Sequence, residues 1–265
     1  MNILDTIIEY KKGEVEKRKE EVTVAALERS EFFERNTLSL REFLLNKEKT
    51  GIIAEFKRKS PSKGVINDKV DVIDVTKGYA DNGASCLSVL TDEYFFGGHD
   101  DDLKKARVNT IPILRKEFII DEYQLIEAKS IGADVILLIA ACLTTKEVKR
   151  LAAFAKQLGL SVLLELHDES ELEHVCDDTD IIGINNRNLK TFAVDIERSL
   201  KMAERIPAGK IKVAESGIST IENILLFKEN GFHGFLIGEN FMKEKDPTIA
   251  FARFVQQLKQ KQYEN

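Results

Sequence analysis

The sequence predicts an α/β fold, a closed (β/α)8 barrel with an N-terminal helical extension. Two observations support this prediction: eight short apolar, β-branched runs recur at intervals of 20 to 35 residues, and a charged amphipathic segment follows each run. Strands that alternate with helices pair in parallel through right-handed crossovers. We therefore expect one domain over residues 1–265, with the extension at 1–45 and the barrel at 51–265.

The apolar runs are candidate barrel strands because they are short and rich in β-branched residues. In chain order they cover residues 51–57, 86–92, 111–116, 133–140, 161–167, 181–186, 210–216 and 234–239. An open doubly wound sheet is the alternative, but it usually has fewer units and often a glycine-rich dinucleotide turn. No GxGxxG follows the first run. Eight units in about 215 residues favour the TIM-barrel architecture.

The segments between the runs have the spacing and capping of amphipathic helices. In residues 144–158, which begin with a threonine, four apolar residues fall on one helical face: Val148, Leu151, Ala152 and Ala155. Similar patterns cover residues 122–131, 195–205 and 219–230.

The first 45 residues predict helices of their own. Residues 3–22 have a strong amphipathic pattern, and a second helical stretch is predicted over 24–36. Their position in the chain leaves two placements open. The extension either caps the bottom of the barrel or forms a lid over one mouth and helps to close an active site.

Composition excludes several classes of function. The net charge is −6, so the chain has no overall attraction for nucleic acid or an anionic membrane. No stretch of about 18 apolar residues predicts a membrane span. Three cysteines without CxxC spacing are typical of inert thiols in a cytoplasmic protein, and four scattered histidines without HxH or HExxH make a metal site unlikely on spacing grounds.

Polar side chains gather at the C-terminal ends of five runs. Because side chains alternate along a strand, Glu55 and Lys57 share one face of the first run. The other runs contribute Lys116, Glu165, Asn185, Arg187 and Glu215. Solvated strand ends or ordinary Lys–Glu pairs are the alternative, but the repetition on five strands favours a site, since this end of a barrel carries the active site. Such crowding also moves lysine and glutamate pKa values into a catalytic range.

The seventh and eighth runs predict a phosphate site. One ends in Ser216 and Gly217 before a helix, and the other ends in Gly238 and Glu239. Loops after these strands commonly bind phosphate through backbone N–H groups, and glycine allows close approach of the backbone. Lys57 would add a positive charge.

Two further loops supply candidate substrate contacts. The basic loop 57–64, with Ser60 and Pro61, is either a mobile loop that closes on an anionic substrate or a solvated charge run. The aromatic loop 94–98 contains Phe95. With Phe118 it either lines an aromatic pocket or packs over the barrel end.

Taken together, these residues closely resemble the indole-3-glycerol phosphate synthase family. The matching stretches are IIAEFKRKSPSKG (52–64), LSVLTDEYFFGG (87–98), ILRKEFIID (113–121), ADVILLIAA (133–141), LLELHD (163–168), IGINNRNLKT (182–191), VAESGI (213–218) and FLIGENFM (235–242). Residues 3–19 also resemble the family's N-terminal extension. The resemblance covers essentially the whole chain.

This resemblance implies a carbon–carbon lyase of tryptophan biosynthesis that uses neither a cofactor nor a metal. Its substrate is a small phosphosugar, 1-(2-carboxyphenylamino)-1-deoxyribulose 5-phosphate. Ring closure, loss of carbon dioxide and dehydration yield indole-3-glycerol phosphate. The family is commonly monomeric.

The family's functional positions match residues of this chain, and the chemistry suggests their roles. Lys116 is the first choice for the acid at the carbonyl oxygen, and Lys57 is a second acid or a phosphate anchor. Glu165 is assigned as the base of dehydration, with Glu55 as electrostatic support and proton-relay partner.

The remaining positions are assigned to substrate binding. Glu215 and Asn185 hold substrate hydroxyls and orient the lysines. The anthranilate ring is expected between five apolar residues: Pro61, Phe95, Phe118, Leu137 and Ile139. The phosphate is expected near Arg187 and the two strand-end loops already described.

Two departures from the family pattern concern binding rather than acid–base chemistry. Gly98 replaces a frequent serine, and Asn240 replaces a small residue after Gly238. Two other functions stay open at this point, namely a phosphosugar isomerase and a non-catalytic phosphosugar-binding barrel. Such an isomerase typically uses a Cys/Asp or Asp/Asp acid–base pair at the strand ends. A non-catalytic binding barrel is expected to lack one of the catalytic charges.

Overall fold

The computed structural model describes residues 3–188 and 193–263 and contains a closed barrel of eight parallel strands. The strands are β1 (Ile52–Phe56), β2 (Cys86–Leu90), β3 (Ile113–Lys116), β4 (Val135–Ile139), β5 (Ser161–Leu166), β6 (Ile181–Asn185), β7 (Ile211–Glu215) and β8 (Phe232–Ile237). Each strand pairs with the next, and β8 pairs with β1. The predicted barrel is therefore confirmed. Each of the first seven predicted runs contains one strand, and β8 begins two residues before the eighth run, 234–239.

Residues 1–2, 189–192 and 264–265 lie outside the described residues. Three predicted segments include some of them: the extension from residue 1, the barrel through residue 265, and the matching stretch 182–191.

Helices surround the barrel and follow its strands. They are α1 (Ile3–Glu21), α2 (Val24–Leu27), α3 (Leu40–Leu45), α4 (Val72–Asp81), α5 (Glu93–Phe96), α6 (Asp100–Ala106), α7 (Glu122–Ser130), α8 (Thr145–Gln157), α9 (Ile196–Ala203), α10 (Ile221–Glu229), α11 (Glu239–Met242) and α12 (Pro247–Tyr263). A capping box at Thr144 and Glu147 fixes the start of α8, as its sequence predicts. Among the described residues, no helix is both long enough and apolar enough to cross a bilayer.

The strands bury apolar side chains on both faces. One layer lies between the strands and the helices, and a second fills the barrel interior, with Ile53, Leu114 and Leu163 among its members. Leu40 and Leu44 of α3 join this inner layer. Parallel strands buried on both faces need such continuous apolar runs, which explains why the runs were visible in the sequence.

The extension occupies both ends of the barrel. Ile3, Leu4 and Ile7 of α1 line the cavity at the C-terminal mouth, whereas α3 packs at the N-terminal end beside Gly234 of β8. The two placements left open by the sequence are therefore both used, by different helices. Helix α1 covers the mouth and α3 closes the bottom.

The second predicted helix is much shorter than residues 24–36. It comprises only α2, and turns follow it. The Arg35 guanidinium lies 2.6 Å from Asp134, and the backbone N–H of Leu38 donates to the same carboxylate at 2.8 Å. These hydrogen bonds to Asp134, just before β4, take the place of hydrogen bonds within a helix. The chain therefore follows an irregular path along the side of the barrel.

Candidate active site

A cavity of about 230 Å³ lies at the C-terminal ends of the strands. Most of the predicted site residues line it: Glu55, Lys57, Ser60, Pro61, Lys116, Phe118, Leu137, Ile139, Glu165, Asn185, Arg187, Glu215, Ser216 and Glu239. They come from strands all around the barrel and from the loops after them. The barrel thus gathers residues that lie far apart in the sequence at the end expected for an active site.

Five charged residues form the centre of the cavity floor, which we call the mouth cluster: Glu55, Lys57, Lys116, Glu165 and Glu215. Lys116 Nζ donates to Glu165 Oε2 at 2.8 Å and lies 3.5 Å from Glu215 Oε2. Lys57 Nζ lies 2.8 Å from Glu55 Oε1. Each lysine therefore faces a carboxylate, as buried charges require.

Strand register places Glu165 and Glu215 close together although β6 separates their strands. Glu165 is paired with Gly183 of β6. Asn185, two residues further along β6, is paired with Glu215 of β7. A Cβ at Gly183 would lie 2.0 Å from Glu215 Oε1. The glycine thus leaves the space in which the Glu215 carboxylate lies.

Asn185 connects the end of its strand to Glu165. Its Nδ2 donates to Glu165 Oε1 at 3.1 Å, and its Oδ1 accepts the backbone N–H of Arg187 at 3.0 Å. Since an amide has a donor and an acceptor at fixed positions, Asn185 orients Glu165 while it holds the chain at Arg187.

Burial and charge act differently on the three central groups. Burial alone would lower the pKa of Lys116, but Glu165, Glu215 and Glu55 outweigh it and raise that pKa. Burial opposes ionisation of Glu165 as well, yet Lys116 holds the pKa of that carboxyl well below its usual range. For Glu215, burial and the nearby Glu165 charge raise the pKa well above the usual range. The site therefore holds an ammonium, a carboxylate and a carboxyl that retains its proton more readily than usual.

One side of the cavity is apolar. Leu137 and Ile139 of β4, Phe118 after β3 and Ile7 of α1 line it. Phe96, at the end of α5, completes this side and lies 5.9 Å from Phe118 between ring centroids. A flat aromatic ligand fits such a surface.

The aromatic loop contributes Phe96 to the cavity rather than Phe95. Phe95 packs edge-to-face against Tyr10 of α1 and against Tyr94, with centroid distances of 5.6 and 4.8 Å. Asp92 caps α5 and turns the loop into one helical turn, so neighbouring rings point in different directions. The predicted place of Phe95 in the ring pocket is therefore taken by its neighbour.

A second cavity of about 200 Å³ adjoins the first and shares Lys57 and Arg187 with it. Gly217, Gly238 and Lys243 also line it. Its three cations make it the basic side of the site, in the loops where the sequence predicts phosphate.

Two consecutive residues of the basic side have left-handed backbone conformations. Ser216 has a φ of 66° and Gly217 a φ of 69°; among the described residues, Ser216 is the one non-glycine residue with positive φ. Strained backbone of this kind often marks a binding site. A Cβ at Gly217 would lie 2.5 Å from Val194, and a Cβ at Gly238 would lie 2.6 Å from Glu55 Oε1. Both glycines are thus needed for packing as well as for approach of the backbone to a ligand.

Glu239 lies at the junction of the two cavities. Its carboxylate is 3.9 Å from Arg187 and 3.6 Å from Lys63. A carboxylate repels phosphate, so the contribution of Glu239 to anion binding would come from its backbone N–H, while its side chain pairs with these two cations.

The basic loop is partly fixed to the protein. Arg58 forms an ion pair with Asp102 of α6, and Lys59 Nζ donates to the carbonyl oxygen of Tyr94 at 2.6 Å. Lys59–Ser60 pairs with Gly64–Val65 as a short hairpin. Its Ser60 and Pro61 face the cavity, so the loop is more than a solvated charge run.

The two departures from the family pattern lie in different surroundings. A Cβ at Gly98 would be 2.1 Å from the Leu90 carbonyl oxygen, so this backbone does not accommodate a serine there. Asn240 lines the basic cavity, and its Nδ2 lies 3.5 Å from the Ser219 carbonyl oxygen. Asn240 thus adds an amide to the basic side.

Sequence reasoning missed several residues of the site. Phe96, Gly183 and Lys243 line the cavities or shape them, and His167 lies in the first cavity beside Glu165. The alternation that groups Glu165 with His167 was visible, but no pattern shows which of three consecutive aromatics faces inward. Within residues 3–188 and 193–263, no group of three or more His, Cys, Asp or Glu residues has an arrangement suited to a metal ion.

Comparison with known sequences agrees with this geometry. The indole-3-glycerol phosphate synthase family model matches residues 4–254. The indole-3-glycerol phosphate synthase of Bacteroides thetaiotaomicron is 44% identical over 258 residues, which is 97% of this chain and 99% of that protein. The enzyme of the same name from a Polaromonas species is 43% identical over 257 residues, or 95% of this chain and 97% of that protein.

Solved structures share the fold at lower sequence identity. A chain of the tryptophan synthase complex from Pyrococcus furiosus has a TM-score of 0.59 and 16% identity, and it covers 80% of this chain and 99% of its own length. At that identity the likeness concerns the barrel alone. The sequence relationships are far closer, and they show that this chain belongs to the indole-3-glycerol phosphate synthase family, the carboxy-lyases of tryptophan biosynthesis.

Proposed function

We propose that the mouth cluster performs the family's reaction by Lys/Glu general acid–base catalysis on 1-(2-carboxyphenylamino)-1-deoxyribulose 5-phosphate. The observation that carries this proposal is the Lys116 ammonium, 2.8 Å from Glu165, on the floor of a cavity with one apolar and one basic side. An acid and a base in contact beneath such a cavity supply the two groups that ring closure and dehydration need.

The two sides of the cavity suggest how the substrate is oriented. Its carboxyphenyl ring would lie against Leu137, Ile139 and Phe118, and its phosphate would lie between Arg187 and Lys243 on the basic side. The ketone carbon then lies above the mouth cluster between them. Binding at both ends holds the ring carbon and the ketone in reach of each other, which lowers the entropic part of the barrier.

Ring closure requires an acid at the ketone oxygen. As the ring carbon that bears the carboxylate attacks the ketone carbon, Lys116 Nζ donates a proton to the oxygen, which becomes a hydroxyl. The ring system now carries iminium-like positive charge, which the Glu165 and Glu55 carboxylates stabilise. Carbon dioxide then leaves, and the electron pair of the broken carbon–carbon bond neutralises that charge.

Dehydration completes the indole. Glu165 accepts a proton from the former methylene carbon, and the hydroxyl leaves as water after it takes a proton from a lysine, Lys57 or the reprotonated Lys116. Protonation of Glu165 removes the nearest counter-charge of Lys116, so the ammonium becomes a stronger acid at that moment. Proton transfer from Glu165 back across the 2.8 Å contact then restores the Lys116–Glu165 pair. The lysines donate two protons and recover one from Glu165, so one proton from solvent completes each turnover.

The direct test is incubation of the purified chain with the anilino-deoxyribulose phosphate while indole absorbance and fluorescence are recorded. The chain contains no tryptophan, so the protein contributes little background fluorescence. We expect product from the wild-type chain. Failure of the folded protein to form it would contradict the proposed function.

The Glu165→Gln variant tests the assignment of the base. The glutamine side chain is nearly isosteric and keeps a carbonyl acceptor for Lys116, but it cannot accept the methylene proton. We expect kcat to fall by about 10²–10⁴-fold, the usual contribution of a positioned base, and a cyclised intermediate to build up. Unchanged steady-state kinetics would remove Glu165 as the base.

A further inference from the structure

His167 is a buried imidazole in the active-site cavity that the mechanism above does not use. It follows β5 directly, two residues after Glu165, and the alternation of an extended chain directs both side chains to the barrel mouth. Its relative exposure is 6%. A buried polar ring in a cavity needs partners there.

Two carboxylates flank this ring. His167 Nε2 lies 3.0 Å from Glu165 Oε1, and His167 Nδ1 lies 3.9 Å from Glu171 Oε2. Glu171 belongs to a short 3₁₀ turn, and its carboxylate accepts the backbone N–H of His167 at 2.6 Å. The turn after β5 therefore holds the chain at His167 with the ring between the two acids.

The ring nitrogens are close to the carboxylates without being aligned for hydrogen bonds. Neither Nδ1 nor Nε2 has a hydrogen-bond partner with acceptable geometry. A 3.0 Å separation from Glu165 becomes a hydrogen bond after a small rotation of the ring, which costs little compared with leaving two buried nitrogens unpaired.

The other partners of Glu165 leave a place for this donor. Lys116 occupies Oε2, whereas Asn185 donates to Oε1 at 3.1 Å. A carboxylate oxygen accepts more than one hydrogen bond, so Oε1 has room for a donor from His167 as well. Donors on both oxygens fix the plane of the carboxylate and favour its ionised form.

We propose that His167, held by Glu171, is a positioning residue for Glu165: its Nε2–H orients the carboxylate and stabilises the ionised form that accepts the substrate proton. This inference rests on the proposed function, in which Glu165 is the base. The titratable and charged groups around the ring are Glu165, Glu171, Lys116 and Cys142. Cys142 is buried near both acids, and that burial raises the pKa of its thiol.

The test compares His167→Leu with His167→Gln. The leucine substitution removes the donor at similar volume, and the glutamine substitution keeps a neutral donor. We expect kcat to fall about 10- to 100-fold in His167→Leu, because a displacement of about 1 Å costs up to about 10²-fold, and to fall less in His167→Gln. KM should change little in both. The acidic limb of the kcat–pH profile should move to higher pH, further for His167→Leu than for His167→Gln, because the ionised base has lost a stabilising donor.

Glu171→Gln and His174→Gln complete the experiment. The Glu171→Gln variant keeps an acceptor for the backbone N–H of His167 but loses the charge that faces the ring, so kcat should fall, by less than in His167→Leu. His174 lies in the same turn, where its ring contacts the carbonyl oxygens of Glu171 and Leu143, and it is the matched control for a purely structural effect. Its replacement should lower stability and leave the acidic limb in place.

The outcomes separate this inference from the proposed function. An unchanged kcat and acidic limb in both His167 variants, or the same shift in His174→Gln, overturns the role of His167. Absence of product from the wild-type chain overturns the proposed function itself. If His167→Leu does not fold, His167→Gln decides the matter through the position of the acidic limb, and Glu171→Gln through the fall in kcat.

Discussion

Adjacent residues of β3 belong to two buried charge networks, one inside the barrel mouth and one between the strands and the helices. Lys116 points into the barrel mouth, where it joins the mouth cluster. Arg115 points outward, where it lies fully buried between β3 and helices α6 and α7. We call the outer network, formed by Lys11, Asp92, Arg115, Glu117 and Glu127, the clamp cluster.

The clamp cluster satisfies its central cation completely. Arg115 Nε donates to Thr91 at 3.1 Å, Nη1 donates to the Gln124 carbonyl oxygen at 2.9 Å, and Nη2 donates to Asp100 at 3.0 Å. Asp92 Oδ2 of the clamp cluster has no hydrogen bond, but it lies 3.0 Å from the Lys11 ammonium. In contrast, Glu215 Oε1 of the mouth cluster is buried without a hydrogen-bond partner. Satisfied buried charge holds a structure together, whereas unsatisfied buried charge beside a cavity is available to a ligand.

The clamp cluster also connects the extension to the site. Lys11 of α1 lies 3.0 Å from both Asp92 and Glu117. Asp92 caps α5, and Glu117 accepts the backbone N–H of Phe118 at 2.8 Å. One buried lysine therefore fixes α1 over the mouth and anchors the loops that carry the cavity's aromatic residues. The two networks therefore differ in role: the clamp cluster shapes the pocket, and we propose that the mouth cluster provides its chemistry.

Lys116→Met gives the largest expected effect on activity. Methionine matches the length of the lysine stem but has no proton to donate, so kcat should fall by about 10²–10⁴-fold while substrate affinity changes little. Single-turnover kinetics measures the ring-closure step directly. Near-normal turnover would show that the acid lies elsewhere in the cavity.

Arg115→Met tests the neighbouring residue of the other network. It removes the buried cation and leaves Asp100 and Glu127 with Arg18 alone, at 3.4 Å from each. The free energy of unfolding should therefore fall by about 3 kcal/mol, the lower end for a broken buried ion pair. Lys116→Met should cost less stability, since its carboxylates border a cavity that admits water. Urea unfolding followed by far-ultraviolet circular dichroism measures both. Equal losses in the two variants would contradict the division between the networks.

Glu215→Gln and Glu165→Gln test the smallest effect, the pH dependence of stability. The pKa of Glu215 is raised in the folded protein, so the protonated carboxyl stabilises the fold. This contribution is complete below pH 4.5, the ordinary glutamate pKa, and is lost as the pH rises through the folded-state pKa. Glu215→Gln should therefore stabilise the protein at pH 8 relative to pH 4, by up to about 1 kcal/mol, the size of one hydrogen bond.

Glu165 should show the opposite sign. Its lowered pKa gives a contribution that is present above 4.5 and is lost as the pH falls through the folded-state value, so Glu165→Gln should destabilise at pH 8. Urea midpoints at the two pH values compare the variants. Shifts of the same sign would show that the two carboxyls do not differ in protonation.

Much of this architecture was predictable from local patterns. The barrel followed from eight apolar runs, and the strand ends identified Glu55, Lys57, Lys116, Glu165, Asn185 and Glu215, because parallel strands must be apolar and polar exceptions stand out. Resemblance then added the reaction. The clamp cluster was not predicted. The helical spacing places Lys11 on one face with Ile7 and Val15, but no local pattern pairs it with carboxylates that lie far along the chain.

The sequence by itself determined the barrel, its register of inward-facing polar residues and the family, because each depends on periodicity or on motifs that lie within a few residues. Only the tertiary structure decided that Phe96 rather than Phe95 faces the cavity, that α1 covers the mouth while α3 closes the bottom, and that His167 lies between two acids. These arrangements depend on contacts between residues far apart in the chain, such as Lys11 with Glu117, whose geometry no local pattern records.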